Sequence, residues 1–131
     1  SIKAYVDSQA GLALVTLTTD GTGVAAGDVV AIDSAGKATK ADADAIATCN
    51  VVGIAVSTVG GNGTLLVKTS GNQGGYTIAG GDVGKKLYAS LTAGGITSTA
   101  PSGNGDVVYQ IGFARSTSEI IIAPQFIMEI G

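Results

Sequence analysis

Residues 27–69 read GDVVAIDSAGKATKADADAIATCNVVGIAVSTVGGNGTLLVKT, and residues 84–124 read GKKLYASLTAGGITSTAPSGNGDVVYQIGFARSTSEIIIAP. Each stretch holds a short apolar strand, a glycine turn, a strand with threonine, a loop, an apolar strand centred on glycine, a tight turn and a closing aliphatic strand. On this reading Ile32 aligns with Tyr88, Gly53 with Gly112 and Leu65 with Ile120. The unit is too long for a solenoid repeat, and two copies are too few for an array. The pattern predicts two halves closing on one core. The expected fold is all-β, a small barrel or sandwich built from two pseudo-repeated halves.

Turn chemistry agrees. Gly60-Gly61-Asn62-Gly63 joins Val51–Thr58 to Leu65–Thr69, and Asn and Gly accept the positive φ of hairpin turns. Thr92-Ala93-Gly94-Gly95 and Thr117-Ser118 join the strands of the second copy. Ala41–Cys49 has too many Asp and Thr for a stable helix and reads as a loop. Gly71–Gly81 reads as a glycine-rich bridge between the halves. Pro124 is expected to break the last strand, because proline cannot donate to a ladder. Phe126–Ile130 then forms a separate short apolar strand.

The division is an N-terminal arm, 1–23, and a β domain, 24–131, with pseudo-repeats at about 27–69 and 84–124. The arm lies outside the duplication, and its Leu12, Leu14, Val15 and Leu17 form an apolar run with strand-forming threonines. The opening Ser is what removal of an initiator Met would leave, and no leader or membrane span is legible. The expectation is synthesis in a cytoplasm.

Composition narrows the function. Charged residues make up 13% of the chain, about half the usual share. A surface so poor in charge suits a protein covered by other subunits. The net charge of −3 and the lack of any basic cluster beyond Lys85-Lys86 argue against nucleic acid as partner. The chain has no His, which removes the commonest general base and zinc ligand. Asp42 with Asp44, or Asp28 with Asp33, could form a carboxylate pair, but all four sit in turn-forming surroundings. Asp42-Ala43-Asp44 lacks the further ligands of a calcium loop. Cys49, the single cysteine, reads as a buried small hydrophobe with no cation to activate it. Asn62-Gly63-Thr64 matches a glycosylation triplet whose turn role suffices. These readings point away from an enzyme, a metal and a cofactor.

Candidate function then lies in surfaces. Tyr76, in the glycine bridge, is the most exposed aromatic expected. Phe126, Met128 and Ile130 alternate onto one strand face and leave Ile127 on the other. A strand apolar on both sides seeks cover from another molecule. Tyr76, Phe126, Ile127, Met128 and Ile130 are the expected oligomer interface.

The stretches GDVVAID-SAGKATKADA, VVGIAVSTVGGNGTLLVKTSG, GDVGKKLYAS, AGGITST, VVYQIGFARS and EIIIAP resemble the small capsid decoration (cement) proteins of tailed bacteriophages. The likeness covers about 27–124. The resemblance implies a binding protein on the outer surface of the virion shell. Its partner is the major capsid protein, its assembly a homotrimer, and its action non-covalent crosslinking of coat subunits. It also implies an N-terminal arm that grips the shell, here through Leu12, Leu14, Val15 and Leu17. Segment 81–114 is similar to tail-fibre and baseplate modules as well, so a fibre or knob module is the alternative. A carbohydrate-binding module is the alternative of another class. It lacks support from any Trp, which such a surface would use as a stacking platform.

Overall fold

A computed structural model describes residues 14–131. The strands are β1 (Leu14–Thr18), β2 (Val29–Ile32), β3 (Ala38–Lys40), β4 (Val51–Ala55), β5 (Thr64–Lys68), β6 (Gly71–Gln73), β7 (Lys86–Ala89), β8 (Ile96–Thr97), β9 (Val107–Ala114) and β10 (Ile120–Glu129). They form two antiparallel five-stranded sheets, ordered β1-β5-β4-β2-β3 and β6-β10-β9-β7-β8. The fold is all-β, and the sheets do not close into a barrel.

The duplication is physical. Strand for strand, the two orders are the same. In the first sheet Val30 pairs with Gly53 and the next pair is Ala31 with Val51. In the second, Leu87 pairs with Gly112 and the next pair is Tyr88 with Gln110. The same bulge therefore recurs at the same place, where two residues of one strand oppose one of the other. The entry loops match as well: Gly27 N–H donates to the Ala55 carbonyl (2.9 Å) and Gly84 N–H to that of Ala114 (2.7 Å). Register makes Ala31, rather than Ile32, the counterpart of Tyr88, and Val67, rather than Leu65, that of Ile120. Unequal turn lengths shift these strands by a residue or two against a gap-free alignment.

The duplication also includes β1. Leu14, Val15 and Leu17, expected in an arm outside the repeats, pair with Lys68, Val67 and Leu65 of β5. They hold the place that β6 holds beside β10. The reason is an open edge on β5, whose backbone groups Leu14–Thr18 satisfy, while Leu17 packs on the core beneath. Leu12 lies outside the described residues. Beyond β1, Thr19 bridges to Ala38 of β3, and its buried hydroxyl donates to the Gly60 carbonyl (2.6 Å) while accepting from Gly63 N–H (2.9 Å). The first sheet thus curls until its two edges touch at one bridge. Residues 14–18 are thus part of the first sheet.

Two core clusters follow. Val30, Ala38, Ala55, Leu65 and Val67 point into the curl of the first sheet, closed by Val24 and Val59 from its loops. Val29, Ala31, Val51 and Ile54, on the opposite face, pack against Leu87, Ile111, Ile120 and Ile122 of the second sheet. The segment read as a loop, 41–50, carries a single 3-10 turn at Ile46–Thr48 and pins the halves together. Ala41 and Ala43 are fully buried, Ala43 N–H donates to the Ser90 carbonyl (3.0 Å), and Val107 N–H donates to that of Ala43 (2.7 Å). Alanine is the right size for this joint because the backbones approach closely.

Pro124 does not end its strand. β10 runs through it, because β6 covers only Ile120–Ile122 and a proline on the uncovered side needs no donor.

Candidate interaction surfaces

Three of the four carboxylates considered as catalytic partners are used in turns, and the fourth, Asp44, accepts from the Thr48 hydroxyl at 3.5 Å. Asp33 accepts from Ala35 and Lys37 N–H (both 2.9 Å), and Asp28 accepts from Ala25 N–H (2.9 Å) with Lys40 Nζ at 3.8 Å. Asp42 accepts from Asp44 N–H (3.2 Å). Asp28 and Asp33 flank β2 at its two ends and do not converge. Among the described residues, no group of three His, Cys, Asp or Glu side chains could hold a metal ion. Burial, with Asp42 and Asp44 nearby, pushes the Cys49 thiol up to about 11, so it is a thiol rather than a nucleophilic thiolate at neutral pH.

The clefts are equally plain. One, of about 150 Å³, lies between the strap Tyr76–Ala79 and the second sheet, and its one ionisable carboxyl, Asp82, is engaged by Lys85 at 3.0 Å. That hydrogen bond holds the Asp82 carboxyl below its ordinary range. A second, open groove of about 400 Å³ is lined by Ser90, Leu91, Thr97, Pro101 and Asp106 among others. Neither brings two titratable groups of opposing roles together, which acid–base chemistry would require.

Tyr76 is not an exposed anchor. Its hydroxyl donates to the Gly27 carbonyl (2.9 Å), its ring packs on the core shared by the sheets, and burial raises its pKa with Asp28 adding to the effect. It latches the strap of the second half onto the first. A tyrosine among glycines looks exposed in sequence, but the missing side chains around it are what let the strap lie flat.

The C-terminal strand is exposed as expected: Phe126, Ile127 and Met128 are 48%, 44% and 49% accessible, and Ile130 is half-buried. Its faces differ from the simple alternation. A register shift lies between Phe126, opposite Tyr109, and Met128, opposite Val108. Neighbours on β9 point to opposite faces, so Phe126 and Met128 do too. Phe126 meets Tyr109 edge to face with ring centroids 6.0 Å apart.

One surface was missed. On the outer face of the second sheet stand Tyr88 of β7, Val108, Gln110 and Phe113 of β9, and Ile121 and Met128 of β10. The bulge at Ile111 puts Phe113 on the same face as Gln110, which alternation alone would not reveal. Ile121 is 42% exposed between two buried isoleucines, and the run Ile120–Ile122, whose middle side chain must face opposite to its neighbours, was the available signal.

No protein-family model matches this chain, and no curated protein is significantly similar to it.

Proposed function

We propose that this chain is a head decoration protein of a tailed bacteriophage. It binds the major capsid protein on the outer surface of the shell and holds coat subunits together without catalysis, as a homotrimer. The observation that carries the reading is the coincidence of the resembling region, about 27–124, with a duplicated β body whose described exposed features include apolar strand faces and an open edge. Such surfaces serve subunit contacts rather than small-molecule chemistry. Low charge suits a clip that stays outside the shell, away from nucleic acid.

The grip is assigned to the outer edge of β1. Apart from the single bridge of Thr19 to Ala38 at its end, no described strand pairs with that side, and Val15 is exposed there. A coat-protein segment can add to such an edge through backbone hydrogen bonds, with side-chain pockets setting specificity. The test is co-sedimentation with phage heads that lack the protein, followed by heating. Saturable binding near the copy number of coat subunits, with DNA release moved to higher temperature by mass action, is expected. Heads that neither bind the protein nor gain heat resistance overturn the reading. The likeness of segment 81–114 to fibre modules favours a second location, and gold labelling at tail fibres rather than heads would select it.

A further inference from the structure

We infer that the outer face of the second sheet, formed by Tyr88, Phe113, Ile121 and Met128, is the surface on which a second copy of this chain packs. The inference rests on the assembly part of the proposed function and not on the shell. An antiparallel sheet with one face on the core normally turns polar side chains to water on the other. This face instead presents two aromatic rings, an isoleucine and a methionine around Val108 and Gln110, which are buried beneath them. Lys86 is the one charged residue in its central rows, at one end beside Phe113.

The chain itself shows what such a face receives. By register, Val29, Ala31, Val51 and Ile54 of the first half are the counterparts of Lys86, Tyr88, Gln110 and Phe113. In the first half that face is not solvated. Its four residues are 9% accessible or less, buried against the sheet of a half with the same topology. The fold therefore already uses this face to dock another copy of itself, and in the second half the same face is left uncovered. Replacement of Val29 by the exposed Lys86 suits a contact that must also be soluble when apart, as at the rim of a subunit interface. Tyr, Phe and Met are the residue types enriched at such contacts. The strip Phe126–Ile127 is a poorer candidate, because two register shifts and Pro124 twist and interrupt the β10 edge there.

The experiment is sedimentation equilibrium of the whole chain over a range of concentrations, alongside Ile121→Glu, Met128→Glu and Ile127→Glu. The wild type should sediment at two or three times its 12.7 kDa mass. Ile121→Glu and Met128→Glu should each weaken association about tenfold or more, the expected loss when a contact of this kind is charged. Ile127→Glu should leave it unchanged, and all three should melt like the wild type because these side chains are exposed. A monomeric wild type overturns the inference, and if Ile121→Glu then loses head binding the face belongs to a coat subunit. Dissociation by Ile127→Glu but not by Ile121→Glu overturns it as well.

Discussion

Gly112→Ala should be among the most damaging single substitutions in this protein, although it adds one methyl group. Gly112 pairs with Leu87 on one side and Ile122 on the other. A Cβ there would run into the backbone carbonyl oxygen of Ile121, an atom that cannot rotate away. A carbon–oxygen contact needs about 3.3 Å, so β9 and β10 must part at a buried pair. Losing two ladder hydrogen bonds removes about 1 kcal/mol each, and forcing extra volume between packed strands adds about 1–3 kcal/mol. The total, about 3–5 kcal/mol, is a large share of a typical domain stability of about 5–15 kcal/mol. For a chain of this size about 4 °C accompanies each kcal/mol, so Tm should fall by about 12–20 °C. Gly80→Ala is the control, because nothing lies within 4 Å of a Cβ built there. Gly53→Ala, at the equivalent place against the Lys68 carbonyl, should behave like Gly112→Ala. Melting of Gly112→Ala within about 3 °C of the wild type, on the same scale, would refute the close approach.

Cys49 makes stability depend on pH. Its pKa rises from an ordinary 9.0 to about 11 in the folded chain, so its contribution is complete below about 9 and is lost as pH climbs toward 11. Urea midpoints at increasing pH should show the wild type losing about 2 kcal/mol more than Cys49→Ala over that window, and equal losses would be contrary. Thr19→Val should cost about 1–3 kcal/mol in urea unfolding, because it leaves the Gly60 carbonyl and Gly63 N–H without their buried partner. Tyr76→Phe should cost about 1–2 kcal/mol by losing the bond to the Gly27 carbonyl; hydrogen exchange should quicken at Ile78 N–H, which the strap holds against Thr117. Deleting residues 1–18 should lower Tm rather than leave it unchanged, since it removes β1 and the packing of Leu17.

The sequence by itself determined the local grammar of this fold. Short β-branched runs, the Asn62 turn with its positive φ of 59°, and the repeated order of strands and turns are each set by neighbours in the chain. Burial of Cys49 was legible from its apolar flank, and the exposure of Phe126–Met128 from its greasy run at the chain's end. Tertiary structure alone decided the rest. The strand character of Leu14–Leu17 was legible in its apolar run and threonines, but its place beside β5 was not, because the open edge it fills lies some fifty residues away. Segment 41–50 became the joint between halves because Ala41 and Ala43 meet a hairpin some fifty residues further along the chain. Bulges at Ile111 and within β10 reversed which side chains share a face, moving Phe113 beside Ile121 and separating Phe126 from Met128. A strand's alternation specifies its two faces only up to such a slip, and the slip is fixed by pairing between distant strands.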